Sequence, residues 1–446
     1  MKVIVVGSGG REHAISYTLA QSKSVDEVIC IPGNGGTALE AKCRNVDVQG
    51  TLEQTVISTA KQDSAAFAVI GPEDPLAAGI ADALWNAGIP TVGPKAQGAA
   101  LEASKDLSKQ FMAKYGVACA ESATFTDSDA ALAYVHEKGA PIVIKADGLA
   151  AGKGVVVAKT VAEAETAVRE LMDGKVGEAG KKLVIEEYLQ GVEISVLAAV
   201  SVTPASAKAG KATIVPFLPA RDHKRLLDGA QGPNTGGMGA VCPLSDVSEE
   251  TMRLFNERIL QPTLRGMIQE RMDYRGFIFF GLMLTKDGPK CLEYNVRLGD
   301  PETQAVLPMM DFDFASLCEA ILDTAGVGAL ASFPLAWKTG YQVAPVAVSG
   351  GYPGSYAKGK QITVDNAALK ATGAKLFIAG AVTDRRAKSG ATGAMVTNGG
   401  RVLACSAHGS TFDEAWAHAY EALKAVHFDG MQYRKDIGLP GAAESN

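Results

Sequence analysis

The chain lacks several features that would place it in other classes of protein. Its 446 residues contain seven cysteines, an odd number without a C-x-x-C pair, so we predict reduced thiols in a cytoplasmic protein, without a disulfide framework or zinc site. No apolar run approaches the ~18 residues that span a membrane, and a net charge of -6 without a basic stripe argues against nucleic-acid binding. The first residues, MKVIVVGSGGREH, have no small-residue cleavage site and predict a first strand, not a signal peptide.

The N-terminal third alternates between predicted strands and helices. The predicted strands are Lys2–Val6, Val28–Ile31, Ala66–Ile70 and Thr91-Val92. Strands that alternate with helices indicate an α/β fold with a doubly wound parallel sheet, whose ligands bind at the carboxyl ends of the strands. A chain of this length is too long for one compact core, so two to four domains are expected.

The first turn, Gly7–Gly10, precedes a helix that begins at Arg11. A glycine turn at a helix N-terminus is typical of a site for one phosphate group, although a purely structural turn is the alternative. The turn does not predict an NAD site, because Glu12 stands where the third glycine of that fingerprint belongs. The second strand also ends in Ile31-Pro32 where a ribose-binding acid would be required.

The segment Pro141–Lys159 predicts a hairpin that covers phosphates. Two β-branched runs flank a loop with three glycines and Lys153, and Lys145 ends the incoming strand. The spacing does not match a P-loop, which needs G-x-x-x-x-G-K-[ST] at the start of a helix. The hairpin is therefore suited to a nucleotide triphosphate, although an ordinary flexible hairpin is the alternative.

A second hairpin, Phe277–Thr285 and Lys290–Arg297, predicts a metal site. Strict alternation places Glu293, Asn295 and Arg297 on one face, and Leu292, Tyr294 and Val296 on the other. A carboxylate and an amide oxygen two residues apart suit magnesium, and the Arg297 guanidinium can grip a carboxylate or phosphate as a fork. An exposed edge strand is the alternative.

Two further polar segments are candidates for binding. The strand Leu183–Leu189 ends beside an acidic pair and could offer its backbone to an adenine edge, with Glu193 accepting ribose hydroxyls. The charged segment 220–225 precedes a glycine-rich stretch, 232–239, which cannot form a helix or strand. Together they indicate a substrate lid or a carboxylate clamp, although charged segments are most often solvated faces.

In combination, these motifs resemble the phosphoribosylamine–glycine ligase family of the ATP-grasp superfamily. The motifs that carry the resemblance, in chain order, are GSGGREHA (7–14), GPEDPLAAG (71–79), KADGLAAGKGV (145–155), DHKR (222–225), GPNTGGMGA (232–240), EYNVRLGDPETQ (293–304) and SGGYPG (349–354). The resemblance implies an N-terminal α/β domain (1–103), an ATP-grasp domain (104–330) with a mobile lid (about 122–192), and a small β-rich C-terminal domain (331–446). It also implies ligation of glycine to 5-phosphoribosylamine with ATP, through a glycyl phosphate, in purine synthesis.

The resemblance also implies roles for individual residues. ATP would be held by Lys105, Lys145, Gly148, Gly152, Lys153, Gly154, Glu186, Tyr188, Leu189 and Glu193. The substrates glycine and 5-phosphoribosylamine would be held by Gly9, Gly10, Arg11, Asp222, Asn234, Thr235, Gly236, Gly237 and Arg297. Magnesium or manganese would be bound by Glu293 and Asn295, and the catalytic residues would be Arg297, Lys145 and Asp222. The enzyme is expected to be a monomer or a weak homodimer.

The chain departs from the family pattern at Ser8, usually Asn, and at Arg221, usually an acid or amide. No acid lies on the strand facing Glu293, so the number of metal ions stays open. Three other classes remain as alternatives: an ATP-grasp carboxylase or other carboxylate–amine ligase, a nicotinamide-dependent oxidoreductase, and a non-catalytic nucleotide-binding regulator. The phosphate turn disfavours the first class, and the missing acid after the second strand disfavours the second. The third class is disfavoured because the chain retains Lys145, Glu293 and Asn295.

Overall fold

The computed structural model describes residues 1–148, 154–384 and 395–442. Within these residues no helix is both long and apolar enough to cross a membrane. All seven cysteines are free thiols.

The N-terminal residues form the doubly wound parallel sheet that the sequence predicts. Its five strands are β1 (Lys2–Gly7), β2 (Glu27–Pro32), β3 (Cys43–Asn45), β4 (Phe67–Ile70) and β5 (Thr91–Val92), in the order β3-β2-β1-β4-β5. Its helices are α1 (Gly10–Gln21), α2 (Leu52–Asp63), α3 (Glu73–Ala77), α4 (Ile80–Asn86) and α5 (Ala96–Ala103). Residues 3–6 of the central strand are fully buried, because helices cover both faces of the sheet. The C-terminal ends of β1 and β4 therefore open onto one edge, where the glycine turns lie.

A small antiparallel sheet carries the phosphate-covering hairpin. Its strands are β6 (Ser122–Phe125), β7 (Ile142–Ala146), β8 (Val155–Ala158) and β9 (Leu183–Glu187), in the order β6-β9-β7-β8. The helices before and beside it are α6 (Lys105–Tyr115), α7 (Ser128–Lys138) and α8 (Val161–Glu170). Ile144, Val168 and Ile185 belong to a hydrophobic core of this unit that is separate from the main cores. The hairpin thus stands on its own packed base, as a lid does.

The largest sheet joins central and C-terminal strands. It has eight antiparallel strands in the order β16-β15-β10-β11-β14-β17-β22-β19. These are β10 (Val192–Val202), β11 (Thr213–Asp222), β14 (Gly239–Cys242), β15 (Tyr274–Thr285), β16 (Gly288–Asn295), β17 (Tyr341–Val348), β19 (Lys375–Ile378) and β22 (Arg401–Gly409). Between β11 and β14 lies a short hairpin, β12 (Arg225–Leu227) with β13 (Gln231–Asn234). The prediction that 232–239 cannot form a strand is therefore wrong for residues 232–234 and for Gly239, where β14 begins. The C-terminal strands therefore extend the sheet that carries the predicted metal ligands.

Helices and a second small sheet complete the fold. The helices are α9 (Pro204–Lys208), α10 (Glu249–Phe255), α11 (Gln261–Gln269), α12 (Thr303–Val306), α13 (Phe314–Leu322), α14 (Asn366–Thr372) and α15 (Phe412–Lys424). The small sheet, in the order β20-β21-β18-β23, consists of β18 (Gln361–Val364), β20 (Ala381–Thr383), β21 (Met395–Thr397) and β23 (Val426–His427). The predicted α/β architecture with an antiparallel, β-rich C-terminal region is confirmed.

Candidate active site

A cavity of about 360 Å³ lies between α5, α6, the lid hairpin and β16. The structure brings eight of the predicted site residues together around it. They are Lys105, Lys145, Gly148, Gly154, Glu186, Glu293, Asn295 and Arg297. The predicted loop residues Gly152 and Lys153 lie outside the described part of the chain.

Three lysines converge on the cavity, and a carboxylate on β9 holds two of them. Lys145 Nζ lies 3.0 Å from Glu186 Oε1, and Lys109 Nζ lies 3.1 Å from Glu186 Oε2. Burial lowers the pKa of Lys145, but the charges of Glu186 and Glu293 outweigh it, so the pKa of Lys145 is raised and the side chain stays charged. Lys105 Nζ donates to the carbonyl of Gly148 at 2.8 Å, which ties α6 to the lid loop. The cavity therefore holds fixed cations suited to phosphate oxygens.

Glu293 and Asn295 meet at the cavity wall on β16. Asn295 Nδ2 lies 3.5 Å from Glu293 Oε1, and Asn295 Oδ1 accepts from Arg297 Nη2 at 3.0 Å. Burial raises the pKa of Glu293, but Lys224, Lys145 and Lys105 outweigh it, so the net pKa is lowered. An ionised carboxylate beside an amide oxygen is a donor set for a hard divalent cation.

A β-bulge corrects the predicted alternation on this strand. Gly281 pairs with Glu293 and Leu282 pairs with Cys291, so Leu292 is the extra residue. Leu292 therefore lines the cavity together with Glu293, where the predicted alternation had placed the two side chains on opposite faces. It packs with Ala120, Leu189 and Met283. The bulge thus gives the oxygen ligands an apolar neighbour, where a planar base could lie.

The predicted adenine hinge follows β9. Leu189 is buried in the small apolar cluster with Leu292, whereas Tyr188 is partly exposed. Neither side chain lines the cavity among the described residues, although Glu186 does. The structure therefore links the hinge to the cavity through Leu292 and Glu186.

Two arginines that the sequence assigned to different subsites contact the same carboxylate. Arg297 Nε lies 3.2 Å from Glu73 Oε2, and Arg11 Nη1 lies 3.7 Å from the same oxygen. Both guanidinium groups also donate to the carbonyl of Leu298, at 3.3 and 3.1 Å. A second carboxylate, Glu102 Oε1, lies 3.1 Å from Arg297 Nη2. The N-terminal turn and the strand that carries the predicted metal ligands are therefore parts of one continuous site.

Glu12 fills the turn between the N-terminal glycines. Its carboxylate accepts from the Gly9 amide at 2.6 Å and from Arg11 Nε at 2.5 Å, and it is buried. A Cβ atom built at Gly71 would lie only 2.2 Å from Glu12 Oε1, so the side chain fits only because glycine is there. Arg11 and the Gly9 amide are thereby held in place from inside the protein.

The remaining predicted residues form a second cluster at the end of β11. Lys224 is ion-paired with Glu193, and these two residues line, with Asp222, a small cavity of about 20 Å³. Burial and then the charge of Glu302 raise the pKa of Asp222. Within the described part of the chain, Asp222 Oδ1 has no hydrogen-bond partner. Such a carboxylate is suited to take part in proton transfer.

The loop 234–239 folds back over this cluster. Thr235 Oγ1 donates to the carbonyl of Lys224 at 2.8 Å and accepts from the Gly237 amide at 3.0 Å. Gly237 has a φ of +119°, and a Cβ atom there would lie 2.6 Å from Asp222 Oδ1. Asn234, by contrast, is exposed at the end of β13. The structure thus places Gly237, but not Asn234, against the predicted catalytic carboxylate.

Sequence reasoning missed several charged residues of the site. These are Glu12, Glu73, Glu102, Lys109, Lys224 and Glu302. Some local signals existed: Lys109 lies one helical turn after Lys105, and Glu73 lies in the GPEDP motif. At the departure Arg221, Nη2 lies 2.8 Å from Asp246 Oδ2, and the side chain also lines the small cavity beside Asp222.

Comparison with known proteins covers nearly the whole chain. Family models of phosphoribosylglycinamide synthetase match here: the N domain at residues 1–102, the ATP-grasp (A) domain at 103–303 and the C domain at 342–440. The chain is 48% identical over 440 residues to a phosphoribosylamine–glycine ligase of Clostridium acetobutylicum, covering 98% of this chain and 99% of that one. A Nostoc protein of the same name is 44% identical over 439 residues, covering 98% and 99%.

Solved structures agree with these relatives. The crystal structure of phosphoribosylamine–glycine ligase from Thermotoga maritima has a TM-score of 0.80 and 34% identity, covering 98% of this chain and 100% of that chain. The biotin carboxylase domain of 2-oxoglutarate carboxylase from Hydrogenobacter thermophilus shares the fold, with a TM-score of 0.67 and 14% identity over 97% and 91% of the two chains. The resemblance carried by the sequence motifs is confirmed. The chain belongs to the phosphoribosylamine–glycine ligase family and is an ATP-dependent ligase with an ATP-grasp domain.

Proposed function

We propose that this chain joins glycine to 5-phosphoribosylamine with ATP, giving glycinamide ribonucleotide, ADP and phosphate in purine synthesis. One observation carries the proposal: a single continuous site runs from the lysine cavity, through Arg297 and Glu73, to Arg11 at the N-terminal turn. A nucleotide end and an anionic-substrate end are thus connected, as ligation of two substrates requires. The family named above supplies the identity of those substrates.

The residues around the cavity fit ATP and a divalent metal ion. Lys105, Lys145 and the glycines of the lid loop supply cations and backbone amides for phosphates. Glu293 and Asn295 supply oxygen ligands, and among residues 1–148, 154–384 and 395–442 no cluster of three or more His, Cys, Asp or Glu side chains offers a metal site. A two-residue set suits Mg²⁺ or Mn²⁺, which take their other ligands from water and phosphate. The metal neutralises phosphate charge and polarises the γ-phosphoryl group when bound.

The chemistry needs no protein nucleophile. A glycine carboxylate oxygen attacks the γ-phosphorus, the bond to the bridging oxygen of ADP breaks, and glycyl phosphate forms. The amine nitrogen of 5-phosphoribosylamine then attacks the glycyl carbonyl carbon, phosphate leaves, and the nitrogen loses one proton. In this proposal Lys145 stabilises negative charge, Arg297 orients a carboxylate, and Asp222 accepts that proton; the first two line the cavity, and Asp222 lies in the neighbouring cluster at the end of β11.

The organisation and setting of the enzyme belong to the same proposal. We assign an N-terminal domain (1–103), an ATP-grasp domain (104–330) with its lid (about 122–192), and a C-terminal domain (331–446). Gly9, Gly10 and Arg11 hold the phosphate of the amine substrate, and Glu186, Tyr188, Leu189 and Glu193 hold the nucleoside. The enzyme acts in the cytoplasm, in keeping with its free thiols, as a monomer or weak homodimer, which sedimentation velocity tests.

Phosphate release from ATP and Mg²⁺ tests the function. Release should require both glycine and freshly prepared 5-phosphoribosylamine, and glycinamide ribonucleotide should appear in equal amount. Glu293→Ala serves as the inactive control, and thermal shift with ATP and Mg²⁺ should show stabilisation that NADH does not produce. Phosphate release that ignores both substrates would overturn the named reaction and leave only the fold.

A further inference from the structure

The C-terminal motif SGGYPG (349–354) has no role in the site described so far, yet its tyrosine, Tyr352, contacts the 234–239 loop. The Gly236 amide donates to Tyr352 Oη at 2.9 Å. On the other side of the same residue, the Gly236 carbonyl accepts from Arg401 Nη1. Both polar groups of one loop residue are therefore bound by side chains that come from C-terminal segments.

Local structure explains why these two side chains meet. The Ser349 amide donates to the carbonyl of Gly400 at 2.7 Å, and Ser349 Oγ donates to the carbonyl of Gly399 at 2.8 Å. A Cβ atom at Gly400 would lie 2.2 Å from the Tyr352 ring, so only glycine leaves room for the ring beside Arg401. The turn after β17 and the start of β22 thus form one platform under the loop.

Arg401 also links the loop to the N-terminal turn. Its Nη1 donates to the carbonyl of Asp300 at 2.8 Å, and its Nη2 lies 3.6 Å from Asp300 Oδ2. That carboxylate oxygen lies 3.3 Å from a Cβ atom built at Gly9. One guanidinium group therefore spans the glycine loop, the acidic loop after β16 and the edge of the predicted phosphate turn.

We propose that Tyr352 and Arg401 are positioning residues, which fix Gly236 so that the 234–239 loop closes the amine-substrate site against Asp222. The proposal rests on the proposed function. Gly237 follows the clamped residue directly, and its backbone lies against Asp222 Oδ1, which has no hydrogen-bond partner among the described residues. Loss of either clamp frees the loop, whereas the contacts of Lys105 and Lys145 with Gly148 and Glu186 involve neither clamp residue and stay in place.

Hydrogen–deuterium exchange and steady-state kinetics test the two parts separately. In Tyr352→Phe the Gly236 amide loses its acceptor, so exchange in peptides covering 231–242 should quicken by about tenfold. The KM for 5-phosphoribosylamine should rise by about tenfold, while the KM for ATP and the binding of ADP with Mg²⁺ stay within about twofold. Arg401→Ala should act more strongly, and Arg401→Lys should recover part of the loss.

Tyr356→Phe is the matched control, because this neighbouring ring lies 6.4 Å from Tyr352 between centroids. It should change neither exchange in the loop nor the KM for the amine. Unchanged exchange in both clamp variants would overturn the proposal, whatever the kinetics show. So would an equal fall of kcat for every substrate with unchanged KM values, since that pattern indicates general damage. If the unaltered enzyme makes no glycinamide ribonucleotide, the proposed function fails, whereas the exchange data still decide the positioning role.

Discussion

His223 is expected to make the enzyme sensitive to acid through one buried imidazole. Its Nδ1 lies 3.1 Å from the carbonyl of Gly239, and its Nε2 lies 3.0 Å from the amide nitrogen of Gly438. An amide can only donate, so Nε2 is the acceptor and Nδ1 carries the proton of a neutral ring. A proton added at Nε2 would face the Gly438 N–H and break that bond. The neutral ring thus joins the segment that carries Asp222 to the C-terminal tail.

The size of the effect follows from the pKa of His223. Burial, followed by the charge of Arg434, lowers this pKa from the ordinary 6.5 to about 4. Because the folded value lies below the unfolded one, the unfolded chain binds the proton first as pH falls. Stability is therefore complete above pH 6.5, declines between pH 6.5 and about 4, and is lowered by about 3 kcal/mol at the end of that range.

Calorimetric unfolding at pH 7, 6 and 5 measures this loss. Between pH 7 and 5 the free energy of unfolding of the unaltered protein should fall by about 2 kcal/mol more than that of His223→Gln, which has no titrating ring. His13 has its own lowered pKa, but it is present in both proteins and cancels in the comparison. His408→Gln, at an exposed histidine, is the control for replacing a histidine by glutamine.

Nitrogen-15 NMR of the histidine side chains measures the protonation state of His223 directly. With six histidines in the chain, the His223 signal is assigned from its absence in the variant. It should show a neutral ring protonated at Nδ1 from pH 8 to pH 5. Titration near pH 6.5, or equal acid destabilisation of the protein and its His223→Gln variant, would refute the reasoning.

Three further substitutions test the site. Gly237→Ala places a Cβ atom 2.4 Å from a proline ring at a φ of +119°, so the rate of phosphate release should fall by at least about a hundredfold. Gly229→Ala is the control, because a Cβ atom there has no neighbour within 4 Å, and this variant should retain the activity. Glu293→Gln keeps the shape but removes the charge of the proposed metal ligand, so the concentration of Mg²⁺ for half-maximal rate should rise by about tenfold or more in a metal titration; an unchanged titration contradicts the assignment. Lys145→Gln should weaken ATP binding by about tenfold or more in calorimetric titrations, and the exposed-lysine control Lys181→Gln should bind normally.

The sequence correctly predicted the structural elements that depend only on residues close together in the chain. The alternation of β-branched runs with glycine turns gave the parallel sheet, and the runs on either side of the 148–154 loop gave an antiparallel hairpin, with Lys145 opposite Val155. The Asp287-Gly288 dipeptide gave the hairpin that carries Glu293. In each case strands adjacent in sequence pair with one another, so sequence spacing is sufficient.

Pairings between distant segments could not be predicted in this way. The Tyr341–Val348 strand pairs with Gly239–Cys242, about a hundred residues earlier, and neither run carries a signal for its partner. The bulge at Leu292 also depends on a strand partner, Gly281, since alternation within one strand assumes regular pairing. A single extra residue was enough to move Leu292 to the other face.

The residues of the candidate site likewise divide into those that a local pattern predicts and those that depend on distant contacts. Glu293, Asn295 and Arg297 follow from one short strand, whereas Glu12 and Glu102 are recognisable only through what they contact. In the sequence, Glu12 only occupies the position where an NAD-binding fingerprint requires its third glycine. In the structure, its carboxylate accepts a hydrogen bond from the backbone of the turn. Charged side chains are usually exposed, so sequence alone favours the surface for them until a buried partner is known.

The charges around the cavity finally predict how ATP binding depends on metal. Its described lining contains four basic side chains, Lys105, Lys109, Lys145 and Arg297, and five acidic ones, Glu73, Asp74, Glu102, Glu186 and Glu293. Within this described lining the basic side chains are therefore balanced by carboxylates, so a triphosphate entering alone would gain no net positive charge from these nine residues. A divalent cation at Glu293 reverses that balance, so removal of metal with a chelator should weaken ATP binding by about a hundredfold or more, measured by calorimetric titration. ATP that binds equally well with and without the chelator would show that the lysines alone hold the phosphates.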